Sequence, residues 1–208
     1  MKIKAVIFDM DGVLIDAKDW HYESLNKALG IFGQEISRYD HLITFDGLPT
    51  KKKLEMLSIE GGFPKGLHSF VNDLKQQYTM DIVFSKCKPV FQHQYALSKL
   101  KNAGYSLAVC SNSIRNTIEI MMDKSGLAPY LDFIISNQDV KQGKPDPEMY
   151  NNAIAKLGLD PRECLIVEDN ENGIKAALAS GANLLKVENP DDVHYYNIIN
   201  RIKELENA

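Results

Sequence analysis

The chain has 208 residues, of which 44% are hydrophobic and 25% are charged, a composition typical of a globular protein with a substantial core. The formal net charge of −4 at pH 7 shows no basic excess, which argues against nucleic acid as a partner. The longest apolar runs are much shorter than the roughly 20 residues of a membrane-spanning helix, so we predict no membrane segment.

The cysteines and the N-terminal run set expectations about the compartment. Cys87, Cys110 and Cys164 are scattered without CxxC spacing, which predicts reduced thiols and neither a disulfide framework nor a zinc site. The first apolar run ends at Asp9 and is too short for the core of a signal peptide. We therefore expect a cytoplasmic protein, with a monomer as the default state.

Five short apolar runs predict the strands of a sheet. The runs KAVIF and LIV do not alternate polar with apolar residues, which is typical of strands that are covered on both faces. This pattern favours a parallel sheet. In chain order, the predicted strands are Ala5–Phe8, Ser106–Cys110, Phe133–Ile135, Cys164–Val167 and Leu184–Val187.

Helical patterns accompany the later strands, and several of them end at a glycine. Asp146 is a good N-cap for a helix that has Pro147 at its first position. Strand–helix alternation with short connections predicts an α/β fold with a Rossmann-like, doubly wound parallel sheet. The helices predicted in this part are Gln92–Asn102, Ile114–Lys124, Pro147–Leu157, Asn172–Ala179 and Ile198–Glu206.

The stretch of residues 17–87 interrupts this alternation because it contains no convincing strand pattern. It instead predicts three helices, Trp20–Phe32, Thr50–Ile59 and Leu67–Met80, which are separated by glycines and prolines. We therefore predict two domains. A catalytic core comprises residues 1–16 and 88–208, and a helical domain of residues 17–87 is inserted after the first strand.

Polar side chains follow the predicted strands at the ends where ligands bind in open α/β sheets. Two acids follow the first strand, a hydroxyl and an amide follow the second, two acids follow the fourth, and a lysine lies in the loop after the third. These residues are Asp9 and Asp11, Ser111 and Asn112, Glu168 and Asp169, and Lys144. The fold is expected to gather them at one edge of the sheet.

This set of side chains suits phosphate chemistry. Clustered carboxylates repel one another unless a cation lies between them, and Mg²⁺ prefers oxygen ligands. Ser111, the amides that follow it and Lys144 are expected to hold phosphate oxygens at the start of a helix. One carboxylate then attacks phosphorus to form an aspartyl phosphate, and the other exchanges a proton with the leaving group and with water.

Most of these residues also have a simpler explanation. Asp9 and Asp11 suit a turn after an edge strand, and Glu168 and Asp169 suit a turn before a helix N-terminus. Ser111 or Ser113 suits a helix cap, and Lys144 suits a solvated loop. The occurrence of all the groups at strand ends favours a site.

The motifs that contain these residues resemble those of the haloacid dehalogenase-like phosphohydrolases. FDMDGVLID is similar to the first motif of this superfamily, and VCSNS, the Lys144-Pro145 loop and IVEDN resemble the second, third and fourth, in that order. The resemblance covers essentially the whole chain. The 2-haloacid dehalogenases of the superfamily lack an acid at the position of Asp11, so its presence here favours phosphoryl transfer over dehalogenation.

The resemblance implies a role for each matching residue, with Mg²⁺ as the cofactor. Asp9 matches the nucleophile, and Asp11 matches the general acid/base whose main-chain carbonyl also binds the metal. Asp169 matches a further metal ligand, with Glu168 beside it. The residues implied in phosphate binding are Ser111, Asn112 and Lys144.

The inserted helices resemble the cap of the subgroup that contains β-phosphoglucomutase and many sugar-phosphate phosphatases. The candidate substrate residues of this cap are His21, Gly47, Thr50, Lys51 and Lys75. Thr50 stands where the mutases carry an arginine, which counts against a mutase. His21 equally suits a polar helix face, and residues 51–53 are otherwise expected to form a solvated helix face.

These observations favour a Mg²⁺-dependent phosphatase that acts on a small phosphorylated metabolite, with a sugar phosphate as the favoured class. A phosphosugar mutase is the first alternative. The second is a non-enzymatic, receiver-like domain that accepts a phosphoryl group on aspartate, although receivers have no large helical insertion and no second acid like Asp11.

Overall fold

The computed structural model describes residues 2–207, which fall into two compact units. The first unit comprises the chain up to Asp16 and from Lys88 onward, and the second comprises Ala17–Cys87. Within residues 2–207 no helix combines the length and hydropathy that crossing a bilayer requires.

The first unit is built on a parallel sheet of five strands in the order β3-β2-β1-β4-β5. The predicted α/β class is therefore confirmed. The fifth strand begins and ends one residue earlier than predicted. The strands are β1 Ala5–Phe8, β2 Ser106–Cys110, β3 Phe133–Ile135, β4 Cys164–Glu168 and β5 Asn183–Lys186.

The helices of both units agree broadly with the predicted positions. In the described residues they are α1 Lys18–Gly30, α2 Arg38–Asp40, α3 Thr50–Gly61, α4 His68–Lys86, α5 Phe91–Asn102, α6 Arg115–Lys124, α7 Glu148–Leu157, α8 Glu171–Ala179 and α9 Tyr195–Asn207.

Local hydrogen bonds determine where α7 and α8 begin. Helix α7 starts one residue later than predicted, with Pro147 instead of Asp146 at the N-cap position, although Asp146 Oδ1 still accepts a hydrogen bond from the Glu148 amide at 2.9 Å. Asn170 is the N-cap of α8, where its side-chain oxygen accepts from the Asn172 amide at 2.9 Å. Both hydrogen bonds satisfy an amide in the first turn of a helix, which has no partner within the helix.

The carboxyl ends of β1 and β4 meet at the point where the winding of the sheet reverses. The chain runs outward from β1 through β2 to β3 and then returns to β4 on the other side of β1. Phe8, the last residue of β1, is in register with Val109 of β2 and with Val167 of β4, so the three strands end within one residue of one another. Ligand sites of open α/β sheets lie at such a switch point.

One face of the sheet packs against α7 and α8. Ile7 of β1 and Ile166 of β4 belong to the same buried cluster as Met149, Tyr150 and Ala176 of these helices. Every residue of β1 and β4 is buried, which explains their unbroken apolar runs.

The second unit is helical, and α1 and α4 form its principal contact. Its core includes Leu25, Leu29, Leu54, Phe63 and Val71. The helix α4 extends six residues beyond the predicted end, because the buried stripe at four-residue spacing continues past Met80 to Val83.

A short segment before α3 was not predicted. Helix α2 continues directly into a single π-helical turn, His41–Phe45. Ser37 caps α2 by accepting a hydrogen bond from the Asp40 amide. Elements this short contain too few residues to show a helical period, so pattern analysis of the sequence missed them.

Candidate active site

A tight turn places the two aspartates that follow β1. The Asp9 amide donates to the Val167 carbonyl at 3.0 Å, which extends the pairing of β1 with β4 by one residue. Gly12 has a positive φ of 92°, and its amide donates to the Ile15 carbonyl at 2.7 Å. Glycine adopts this conformation without a steric penalty, which explains the Asp-x-Asp-Gly order.

The Lys144 ammonium lies buried at the centre of the site. Its Nζ donates to Asp9 Oδ1 at 2.5 Å, to Glu168 Oε1 at 2.7 Å and to the Cys110 carbonyl at 2.8 Å. An ammonium has three donors, so these three acceptors satisfy all of them. Lys144 is therefore not a solvated loop lysine, since it links the ends of β1, β2 and β4.

The Glu168 carboxylate is fully engaged by protein groups. Its Oε1 accepts from Lys144 and from the Tyr150 hydroxyl, the latter at 2.6 Å. Its Oε2 accepts from the amides of Asp169 and Asn170 at 3.1 and 3.4 Å. Glu168 is thus held in one orientation.

The sequence analysis missed Tyr150, whose only signal is its position three residues after Pro147, near the start of the predicted helix.

Asp11, the second acid of the turn, contacts two hydroxyl groups. Its Oδ2 accepts from Ser113 Oγ at 3.0 Å and from Ser111 Oγ at 3.4 Å. Ser111 Oγ in turn accepts from the Ser113 amide at 3.0 Å. Neither serine is the N-cap of α6, a position that Ile114 occupies. The structure therefore adds Ser113 to the predicted residues of the site.

Asn112 holds the backbone of the lysine loop. Its Oδ1 accepts from the Lys144 amide at 3.0 Å, and its Nδ2 donates to the Lys144 carbonyl at 3.2 Å. A Cβ on Gly143 would lie 2.5 Å from Asn112 Oδ1, so the close approach requires glycine. The side chain of Asn112 thus positions Lys144.

Burial and charge shift the pKa values of this cluster. Burial raises the pKa of Asp9 well above 3.8; the attraction of Lys144 opposes that rise, and repulsion from Glu168, Asp169 and Asp11 adds to it. For Lys144, burial disfavours the charged form, but the two acids that contact it outweigh burial and raise its pKa. The ammonium therefore remains charged.

The thiol next to the site is unreactive. Burial raises the pKa of Cys110 to about 12, so this cysteine stays protonated at neutral pH. Its side chain belongs to the buried cluster beneath the sheet, in agreement with the predicted packing role.

Three carboxylates lie close enough to share a cation. Asp9, Glu168 and Asp169 each offer an oxygen within 4.8 Å of the others. An all-oxygen, anionic set of this kind fits Mg²⁺ better than a softer transition metal. Because Glu168 already accepts four hydrogen bonds, Asp9 and Asp169 are the better direct ligands. The side chain of Asp11 is not part of this group among the described residues.

Gly173 in α8 is a further residue that the sequence analysis missed. A Cβ at this position would lie 1.7 Å from Glu168 Oε1 and 2.0 Å from Glu168 Cδ, so any side chain displaces the carboxylate. The signal in the sequence is a glycine within the first turn of an Ala-rich helix, where glycine otherwise costs about 1 kcal/mol.

Replacing Gly173 with alanine is expected to lower the free energy of unfolding by about 1–3 kcal/mol and to reduce turnover sharply, because Glu168 must move. Chemical denaturation and an activity assay measure both effects. Gly61→Ala is the matched control, since Gly61 ends α3 with open space around its Cβ position. If Gly173→Ala and Gly61→Ala changed the free energy of unfolding and the turnover equally, a clash between the new Cβ and Glu168 would not be the cause.

The predicted cap residues lie in the second unit. His21 Nδ1 and Lys75 Nζ are 3.2 Å apart, and Lys75 is buried. Gly47 has a positive φ of 70°, and Thr50 and the exposed Lys51 begin α3.

The expectation of a solvated face over residues 51–53 is wrong in part. Lys53 is only 7% exposed, whereas Lys51 and Lys52 are exposed. Lys53 is buried next to Leu54, which belongs to the helical core. Three consecutive residues of a helix span about 200° of its circumference, so a run of lysines does not define one face.

The chain is similar to known phosphatases and to a mutase. A model of the family described as haloacid dehalogenase-like hydrolase matches residues 6–187. The pyrophosphatase PpaX of Bacillus velezensis is 30% identical over 190 residues, covering 86% of this chain and 81% of that protein. The phosphorylated carbohydrates phosphatase of Thermotoga maritima is 27% identical over 182 residues, covering 86% and 82%. The solved structure of β-phosphoglucomutase from Clostridium difficile matches with a TM-score of 0.85 at 21% identity, covering 99% of this chain and 100% of that one, and this likeness concerns the fold.

Proposed function

Because this chain belongs to the haloacid dehalogenase-like hydrolases, we propose that it is a Mg²⁺-dependent phosphatase that acts through an aspartyl-phosphate intermediate. The proposed substrate is a small phosphorylated metabolite, with a sugar phosphate as the favoured class. Membership of a hydrolase family disfavours the receiver-like alternative. The low cysteine count supports a cytoplasmic location as part of the same proposal.

The observation that carries the proposal is the different surroundings of the two aspartates. Asp9 contacts a buried ammonium, whereas the half-buried Asp11 accepts hydrogen bonds from the hydroxyls of Ser111 and Ser113. A carboxylate held by a cation is oriented for attack, and one held by hydroxyls is able to carry a proton. Two acids at one strand end with different partners support two different roles.

The proposed reaction has two steps. The Asp9 carboxylate attacks phosphorus, the ester P–O bond breaks, and Asp11 gives its proton to the leaving oxygen. Asp11 then takes a proton from water, which attacks the aspartyl phosphate and releases phosphate and free Asp9. Ser111, the Asn112 amide and the charge of Lys144 are proposed to hold the phosphate oxygens.

The metal has a defined place in this proposal. Asp9, Asp169 and the main-chain carbonyl of Asp11 would hold Mg²⁺, with Glu168 beside them. When bound, the ion neutralises negative charge that would otherwise repel an anionic substrate. The protein's own contribution is the fixed orientation of the acids, for which Lys144 and the amides that contact Glu168 are responsible.

Residues of the second unit are proposed to select the substrate. The set consists of His21, Gly47, Thr50, Lys51 and Lys75. The buried Lys75 and its neighbour His21 form the best-defined pair of this set, and they offer a positive charge and a titratable nitrogen to a polar substrate. Thr50 offers no charge for a second phosphate, which disfavours a mutase.

The test is an assay of the purified protein on a panel of phosphomonoesters with and without Mg²⁺. We expect release of inorganic phosphate that depends on Mg²⁺, strongest on small metabolite esters. Absence of turnover across the panel would overturn the proposal. Interconversion of hexose phosphates that requires a bisphosphate, with little free phosphate released, would favour the mutase instead.

Asp11→Asn separates the two proposed roles. We expect turnover to fall by about 10²–10⁴-fold, because asparagine cannot carry a proton. Binding of Mg²⁺, measured by calorimetry, is expected to remain near the wild-type value, since the carboxylates of the metal group are unchanged. Wild-type turnover in this variant would rule out Asp11 as the general acid/base.

A further inference from the structure

The first unit carries an exposed aromatic face on α5 and the start of α9. It consists of Phe91, Tyr95, Tyr195 and Tyr196, of which Phe91 is 79% exposed and Tyr196 is 64% exposed. Successive ring centroids are 6.0, 6.2 and 5.6 Å apart, so the four rings form a continuous row. Contiguous exposed aromatic surface of this kind is uncommon on a protein that acts alone.

Opposite charges lie at the two ends of this aromatic face. The exposed Asp191 lies at the N-terminal end of α5, where its main-chain carbonyl accepts from Gln92 Nε2 at 2.7 Å. The exposed Lys99 lies one turn beyond Tyr95, and its Nζ is 5.6 Å from the centroid of that ring. From the N-terminal end of α5 onward, the order of these residues is therefore Asp191, Phe91, Tyr95 and Lys99.

The spacing along α5 follows from helix geometry. Phe91, Tyr95 and Lys99 are separated by four residues each, which places all three on one side of the helix. The distance from Phe91 to Lys99 along the axis is about 12 Å, from a rise of about 1.5 Å per residue. The opposite side of α5 carries the buried residues Ala96, Leu97 and Leu100, so the aromatic stripe is not needed for the core.

A surface with this order of charges is complementary to itself. When two copies of α5 lie antiparallel across a two-fold axis, the base of one copy meets the acid of the other at both ends. The aromatic rings meet in the middle, and the two helix dipoles run in opposite directions. A partner of another sequence would need to match the same order of charges, whereas a second copy carries it by symmetry.

We propose that this aromatic face is a dimer interface between two copies of the chain, with Lys99 of each copy paired to Asp191 of the other. The interface is centred on Phe91 and Tyr95. An aromatic side chain buries about 150–250 Å² when fully covered, and a stable interface buries about 800 Å² on each partner. The four partly exposed rings fall short of that area, so the residues that flank them contribute the rest of the proposed interface, and association is expected to depend on concentration.

The test is sedimentation equilibrium of the full-length protein over a wide concentration range. The wild type is expected to shift from monomer to dimer as concentration rises. Phe91→Ser is expected to weaken association at least tenfold without affecting the fold, because this side chain is largely exposed. Ile59→Ser is the matched control, since Ile59 is 80% exposed in the second unit and lies outside the aromatic face.

A charge exchange tests the antiparallel arrangement itself. Lys99→Glu and Asp191→Lys are each expected to weaken association, because each places like charges opposite one another. The double variant is expected to restore it, and high salt is expected to reduce all these differences. A wild type that stays monomeric at every concentration, a dimer unaffected by Phe91→Ser, or a double variant weaker than both single variants would overturn the proposal.

Discussion

Asp9→Asn is expected to abolish phosphatase turnover, by at least about 10³-fold, while the protein stays folded. Asparagine has nearly the shape of aspartate, and its oxygen still accepts a hydrogen bond from Lys144. It has no negative charge, however, and does not attack phosphorus. No phosphorylated protein is therefore expected when the variant is mixed with substrate and Mg²⁺, and mass spectrometry of the intact chain tests this.

The stability of the same variant tests the electrostatic description of the site. The folded state raises the pKa of Asp9 above 3.8, chiefly through burial. The folded protein is therefore stabilised less as the pH rises from the pKa of the unfolded state towards the raised pKa of the folded state. Without Mg²⁺ at neutral pH, Asp9→Asn is expected to be at least as stable as the wild type. Denaturation at pH 4 and pH 7 measures the difference, which is expected to grow with pH.

Two results would contradict these expectations. Turnover of Asp9→Asn near the wild-type value would remove Asp9 as the nucleophile. A strong loss of stability at neutral pH would show that the ion pair with Lys144 outweighs the cost of burying the acid. Comparison of thermal stability with and without Mg²⁺ provides a further check, since the wild type is expected to gain more from the ion than the variant.

Lys144→Met is expected to lower the free energy of unfolding by about 3–5 kcal/mol at neutral pH and to abolish turnover. Removing the ammonium leaves the carboxylates of Asp9 and Glu168 buried without their cation. Lysine and methionine have similar length, so the loss reports charge more than packing. Lys141→Met is the matched control, because Lys141 is exposed in the same loop.

The pH dependence of this variant has a definite sign. Without Lys144, the attraction that opposes the raised pKa of Asp9 disappears, so the folded state retains a proton to higher pH than the unfolded state does. The variant is therefore expected to lose stability as the pH rises from 4 to 7 and to approach the wild type at the acid end. Denaturant titrations across this range measure the slope. A variant that matches Lys141→Met at every pH would refute the buried ion pair.

The candidate site illustrates which of its residues pattern analysis of the sequence is able to find. Asp9 and Glu168 are predictable because polar residues that end apolar strands have no role in a buried sheet, and Lys144 because the loop that carries it follows a strand of the same sheet. Tyr150 and Gly173 were missed because each lies within a helix whose sequence is accounted for by helix formation alone. Their importance depends on contact with Glu168, which no local pattern encodes.

The same limit applies to surface and burial. Lys53 is buried although it lies in a run of lysines, and Phe91 is exposed although it is aromatic. Hydrophobicity predicts the average environment of a residue type, but the packing of neighbouring elements decides the individual case. The aromatic face of α5 and α9 was therefore not predicted from the sequence.

The sequence by itself determined the parallel α/β architecture, the family and the carboxylates at the strand ends, because unbroken apolar strands and short motifs are local properties of the chain. Only the tertiary structure decided which acids contact the Lys144 ammonium, namely Asp9 and Glu168. Lys144 and Asp9 are 135 residues apart in sequence, and they meet because the loop after β3 brings Lys144 to the adjacent carboxyl ends of β1, β2 and β4. A buried charge requires a partner from elsewhere in the chain, and the three-dimensional packing of the sheet determines that partner.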